Sequence, residues 1–262
     1  MYQFFSRPDR SVTFVGRLDC AVADWHLPGP EWLRGKKALF VTDVHLTARA
    51  TDADLAAFTD RLMALSPDIV LLGGDYADRA EPARRFFGAM RALHPSLGSF
   101  GVVGNNDREA WPDLDPLRGV MAEAGVRLLV NACHEIALPG GRLLIAGIDE
   151  YRHGAPRARG LYPEAASDDR YRLLLSHYPV MPESMPDLML CGHTHGGQFN
   201  LLGITPYAIG FERLPLSNRP SRFIAGLHEY RGARVLVSKG IGASRLPVRL
   251  CVRPEIDLIE FC

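Results

Sequence analysis

Short apolar runs recur along the chain, each closed by glycine or a polar residue, and stretches of helical period lie between the early ones. Runs of this length bounded by turn residues read as buried strands, whereas apolar positions three and four apart read as one face of a helix. The pattern predicts strands over 38–42, 69–72, 99–103, 143–146, 172–176, 188–191, 222–225, 235–238 and 256–260. It predicts a helix over 54–65, with Leu55, Phe58, Leu62 and Leu65 on one face and Pro67 beyond its end. A second helix, 82–93, carries proline in its first turn and turns Phe86, Phe87, Met90 and Leu93 inward. A third, 114–124, stops at Gly125. The alternation indicates an α/β fold. From residue 142 onward strands outnumber helices, so two packed sheets suit the chain better than one doubly wound parallel sheet. Segments 151–163 and 203–222, rich in arginine, glycine and proline, read as surface loops.

With 262 residues and 47% hydrophobic content the chain can bury a full core. We expect one domain over 1–262, with a motif-bearing part at about 37–200 and a strand-rich part at 201–262. Thirty basic residues balance thirty acidic ones, so no global field draws nucleic acid or an anionic membrane. Five cysteines without CxxC spacing point to a reducing compartment, and cytoplasm is the expectation. The charged start, with Arg7, Asp9, Arg10, Arg17 and Asp19, lacks the apolar centre of a signal peptide, and no later run has the length of a membrane helix.

Strand ends are where α/β folds place ligands. Here they deliver, in order, Asp43 and His45; Asp75 and Asp78; Asn105, Asn106 and Asp107; His177; and His193 and His195. Taken singly, an aspartate at a strand end more often caps a turn or a helix. The ordered recurrence points to a shared site. Imidazole, carboxylate and amide oxygen suit zinc, manganese or iron, whereas an all-oxygen calcium or magnesium cage has no use for several histidines. Seven donors exceed one tetrahedral ion and suit two ions sharing a carboxylate, roughly 3.5–4 Å apart, the usual clamp for attack on phosphorus. Flanking glycines, among them Gly73, Gly74, Gly104, Gly192, Gly196 and Gly197, allow sharp turns. Asp78 reads equally as a carboxylate orienting a ligand or as a helix cap, and Asp107 as a site residue or a turn former.

The series DxH (Asp43, His45), GDxxD (Gly74 to Asp78), GNxD (Gly104 to Asp107), a lone His177 and GHTH (Gly192 to His195) resembles the calcineurin-like metallophosphoesterase superfamily. The motifs stand in that family's order over about 37–199. The GGQF that follows and the stretch 236–261 are similar to a bacterial subgroup of YkuE-type and YaeI-type phosphoesterases, itself similar to enzymes cleaving UDP-2,3-diacylglucosamine. Members of that subgroup often begin with a membrane segment, and none is expected here. The resemblance implies a four-layer αββα sandwich. It implies that Asp43, His45 and His195 hold one divalent ion, that Asn105, His177 and His193 hold another, and that Asp75 bridges them. Manganese is the first expectation, with iron or zinc as alternatives. It further implies that a hydroxide between the ions attacks phosphorus, and that Asp75, Asn105, Asn106 and His193 take part in catalysis.

One position departs from the family's pattern. Where members commonly carry histidine after the GN pair, this chain has Asn106, which donates a hydrogen bond but cannot deliver a proton. General-acid help is worth about 10²- to 10⁴-fold, chiefly for poor leaving groups. A pyrophosphate bond, whose leaving phosphate departs readily, therefore suits the site. The diacylglucosamine pyrophosphatases also tend to lack that histidine.

The expected substrate is a phosphodiester or pyrophosphate, lipid-linked in the diacylglucosamine reading. Rival readings are a nuclease or cyclic-nucleotide phosphodiesterase, and, in another class, a metal-binding scaffold with little catalysis. Zero net charge and the lack of a basic strip with interleaved aromatics weigh against nucleic acid. Arg152, Arg157 and Arg159 read as a phosphate grip or as solvated loop charges. The apolar residues of 199–211 read as an acyl-chain groove, a membrane contact or loop packing, which leaves a peripheral contact with the inner membrane open. The glycine-rich 240–244 matches no complete phosphate loop.

Overall fold

A computed structural model describes residues 12–163, 169–202, 204–209 and 223–262. Its strands in chain order are β1 (Val12–Phe14), β2 (Ala21–Leu27), β3 (Lys37–Val41), β4 (Ile69–Leu72), β5 (Ser99–Gly101), β6 (Val126–Leu128), β7 (Ala132–Leu138), β8 (Gly141–Gly147), β9 (Arg170–Ser176), β10 (Leu188–Cys191), β11 (Gly226–Tyr230), β12 (Ala233–Val237), β13 (Val248–Leu250) and β14 (Glu255–Phe261). The α-helices are α1 (Asp52–Ala64), α2 (Ala80–Met90), α3 (Asn105–Ala110) and α4 (Asp115–Glu123).

Period-two alternation decides which layer each strand residue enters. In β3 and β4, Leu39, Val41, Val70 and Leu72 meet Leu55, Phe58 and Leu62 of α1 and Phe86 and Phe87 of α2. Their alternates, Ala38, Phe40, Ile69 and Leu71, meet Leu173, Leu175, Leu188 and Leu190 of a second sheet. The first sheet has the order β2-β14-β3-β4-β5-β6 and the second β11-β12-β10-β9-β8-β7. A short ribbon pairs β1 with β13. Helices therefore cover one face of the first sheet and the two sheets face each other, as expected. On the far face of the second sheet, Ala146, Leu174, Met189, Cys191 and Val235 are covered among the described residues by loop side chains such as Tyr151, Leu161, Tyr162 and Met185. The thiol of Cys191 is thus a buried packing group.

Local signals account for most element ends. Thr51 accepts from the backbone N–H of Asp54 while Asp54 accepts from that of Thr51, so α1 starts at Asp52, two residues before the expected start at 54. Helix α2 starts at Ala80, which leaves Pro82 in its first turn, and ends at Met90 rather than 93. The strand expected over 222–225 is displaced: Arg222 lies outside the described residues, 223–225 are not extended, and the strand is Gly226–Tyr230. Phe223 and Ile224 bury their side chains against the outer clusters, while the more polar Gly226–Tyr230 segment forms the edge ladder.

Strands β3, β4, β5 and β6 run parallel, as do β8, β9, β10 and β12. Their carboxyl ends thus lie on common sheet edges, where the Asp, Asn and His residues follow. No helix of the described residues is long and apolar enough to cross a membrane.

Candidate metal centre

Five of the seven expected ligands adopt left-handed backbone conformations: Asp43 (φ 50), His45 (φ 43), Asp75 (φ 53), His193 (φ 69) and His195 (φ 50). Such values are uncommon outside glycine but are tolerated best by Asn, Asp and His, and they cluster at functional sites. The ligand residues themselves turn the chain at the strand ends. Gly104 and Gly192 serve a different need, because a Cβ there would stand 2.0 Å from Asp75 Oδ1 and 2.2 Å from Asp43 Oδ2.

The side chains converge. Nitrogen and oxygen atoms of Asp43, His45 and His195 lie within 4.8 Å of one another, as do those of Asp43, Asp75 and His177, and all five residues are buried. Asp75 Oδ2 stands 3.5 Å from His45 Nε2 and 3.5 Å from His177 Nε2, between the two groups. His193 Nδ1 lies 3.2 Å from His177 Nε2. Asn105, also buried, accepts a hydrogen bond from the Tyr178 hydroxyl at 3.1 Å, and the Tyr178 ring lies 3.9 Å from that of His193. Five of the seven expected ligands thus form two compact groups that share Asp43, with His193 against His177 and Asn105 joined to Tyr178. The second compact group brings in Asp43 beside Asp75 and His177, with Asn105 and His193 reaching it through Tyr178 and His177.

The outer atoms hold these rings in place. His45 Nδ1 is 2.8 Å from Asp78 Oδ1, and His177 Nδ1 donates to the Gly73 carbonyl at 2.9 Å. Arg249 Nη2 lies 3.2 Å from His195 Nδ1. Each of these contacts leaves Nε2 directed inward, and the buried Nε2 of His45 has no hydrogen-bond partner. Asp78 therefore orients a ring rather than capping α2, whose first turn receives no side-chain cap. Asp107 accepts from the backbone N–H groups of Gly104, Asp75 and Tyr76, at 2.8, 2.7 and 3.0 Å, so it ties the loop after β5 to the loop after β4.

Electrostatics agree with a site that demands positive charge. Burial opposes charge on every group here, yet at His177 the Asp75 and Asp43 carboxylates and the Gly73 carbonyl together outweigh it and push that imidazole up to about 10. Asp75, although buried, is held far below the usual carboxylate range by His177 and His45. Burial lowers His193 and His195, helped by the charges of His177 and His45 respectively. Positive charge is thus favoured at His177 and His45, beside the carboxylates, and disfavoured at His193 and His195. Buried carboxylates, converging imidazole nitrogens and an orphaned His45 Nε2 fit divalent ions.

Sequence reasoning missed Tyr178, Arg249 and Thr42. Tyr178 follows His177, and alternation would send it to the opposite face. Arg249 is fully buried in β13, where it donates to the Gly242 carbonyl at 2.6 Å, but a lone arginine between apolar neighbours carries no signal of burial. Thr42 donates to Asp43 Oδ2 at 2.8 Å. Asn106 donates to Asp78 at 2.6 Å and, through its backbone, to Asp75 Oδ1 at 2.9 Å. Of the loop arginines, Arg152 is near enough for its charge to lower His193. The glycine-rich 240–244 closes over the first motif, with the Gly242 N–H donating to the Asp43 carbonyl at 2.6 Å.

The profile of the family described as calcineurin-like phosphoesterase matches residues 36–197. Phosphodiesterase YaeI of Escherichia coli (strain K12) is 30% identical over 240 residues, covering 86% of this chain and 81% of that protein. The uncharacterized metallophosphoesterases YkoQ and YkuE of Bacillus subtilis (strain 168) are 31% identical over 198 residues and 26% over 237. These matches cover 72% of this chain and 70% of YkoQ, and 87% of this chain and 80% of YkuE. The profile match spans every strand-end motif from Asp43 to His195, the residues that converge on the buried cluster. The chain belongs to the calcineurin-like phosphoesterase family and is a metal-dependent phosphoester hydrolase.

Proposed function

We propose that the chain hydrolyses a phosphodiester or pyrophosphate with two divalent ions, one held by Asp43, His45 and His195, the other by Asn105, His177 and His193, with Asp75 shared. The observation that carries this reading is Asp75 Oδ2, equidistant from a histidine of each group at 3.5 Å. When bound, such ions lower the pKa of water and neutralise phosphoryl oxygens, with manganese the expected metal and iron or zinc its alternatives. The protein's own part is positional. Asp78, the Gly73 carbonyl and Arg249 fix three imidazoles, Tyr178 orients the Asn105 amide, and Asp107 fixes the turn that aims Asp75.

Asn106 stands where a proton donor would assist a poor leaving group. Its amide, bound to Asp78, can steady a phosphoryl or leaving oxygen by a hydrogen bond. This supports a substrate whose leaving group departs without protonation, and hence a pyrophosphate of the UDP-2,3-diacylglucosamine kind.

Hydrolysis of bis-p-nitrophenyl phosphate by manganese-loaded protein, with Asp75→Ala as its pair, tests the reading. The wild type turns the ester over and the variant loses at least about 10³-fold. Equal rates in the two proteins would overturn it.

A further inference from the structure

A cavity of about 280 Å³ shares His45 and Asp78 with the metal centre and is bounded by three chain segments that carry Arg17, Arg49 and Arg245. None of the three guanidinium groups makes a hydrogen bond or ion pair with a described residue, although Arg17 lowers the nearby Asp54 by its charge. The acidic residues on the wall are Asp19 and Asp78, and Asp78 is already bound by His45 and Asn106. The wall is therefore net positive beside a phosphoester site. Its shape is built in: Gln198 donates to the carbonyls of Ser244, Leu246 and Val248 and accepts from the Ser244 N–H, pinning the Arg245 loop three residues after His195. The β1–β13 ribbon holds the other wall, with the Val15 N–H donating to the Pro247 carbonyl at 3.1 Å. Phe14 of the lining is 82% exposed, and Val12 and Leu246, next to lining residues along the chain, are each 57% exposed.

We propose that this cavity is the specificity subsite of the centre. Arg17, Arg49 and Arg245 bind a second anionic group of the substrate, and Val12, Phe14 and Leu246 receive an apolar chain attached to it. The substrate class is an amphiphile with two acidic groups. Guanidinium forks without partners among the described residues suit a phosphate oxygen pair, and exposed apolar residues nearby suit acyl carbons. This rests on the phosphohydrolase reading above and adds the residues that would choose among its substrates.

The test uses the full metal-loaded chain with three substrates. Bis-p-nitrophenyl phosphate has one charge, CDP-glycerol has a diphosphate, and CDP-dioctanoylglycerol has a diphosphate and chains. In the triple variant Arg17→Ser/Arg49→Ser/Arg245→Ser, kcat/KM for CDP-glycerol relative to bis-p-nitrophenyl phosphate falls at least about tenfold, through KM. In Phe14→Ser/Leu246→Ser the preference for CDP-dioctanoylglycerol over CDP-glycerol falls at least about fivefold. A triple variant that keeps its ratio within about twofold of wild type, or a wild type indifferent to the chains, overturns the proposal. A wild type that hydrolyses none of the three contradicts the phosphohydrolase reading instead. The subsite is then read by equilibrium binding of CDP-glycerol, which the triple variant must weaken about tenfold for the subsite to stand.

Discussion

At the scale of single residues, the site combines unusual backbone with tight approach. Asp and His at successive strand ends were readable in the sequence because few other arrangements put those side chains after buried runs. That five of them bend the chain themselves was not, since positive φ leaves no mark when the residue is not glycine. The sequence suggested that glycines make the turns; at Gly104 the reason is the absence of a side chain. Gly104→Ala forces its Cβ onto Asp75 Oδ1, and we expect activity to fall at least about 10²-fold while circular dichroism keeps its folded spectrum. Asp78→Ala frees the His45 ring, and metal affinity read by titration should drop about 10- to 100-fold. An unchanged affinity would mean that packing alone holds that ring.

Among the elements, the central strands were legible and the edges were not. Runs such as Ile69–Leu72 are buried on both faces and read as continuous apolar segments. The edge strands β2, β7 and β11 alternate exposed and half-buried positions, and residues such as Asp24, His134 and Glu229 mask them as loops. Strand β14 lies between β2 and β3 and carries Asp257, fully buried, with Trp25 donating to its Oδ1 at 2.8 Å. Burial, with the charge of Glu255 beside it, raises Asp257 from 3.8 to about 7. The folded state then holds a proton that the unfolded state releases, so this residue's contribution is fully present below 3.8 and is lost as pH rises through about 7. Asp257→Asn keeps an acceptor for Trp25 and removes the buried charge. Denaturation by urea should show the variant ahead of wild type by about 2–4 kcal/mol at pH 8 and by much less at pH 4. An advantage that does not grow with pH would contradict the assignment.

On the scale of the molecule, two sheets bring loops from distant parts of the sequence to one place. Asp75 comes from the first sheet, His177 and His193 from the second, and Arg249 from a ribbon that packs late in the chain. The late contribution was hidden because the motifs end near Phe199, whereas Gln198, Arg245 and Arg249 act across a separation of about fifty residues. The proposed centre holds two ions with Asp75 between them. Anomalous scattering from crystals of manganese-loaded protein, collected across the manganese edge, tests this most directly. Two peaks should flank Asp75, one beside Asp43, His45 and His195 and one beside Asn105, His177 and His193. A single peak, or manganese bound elsewhere on the chain with this cluster bare, would contradict it.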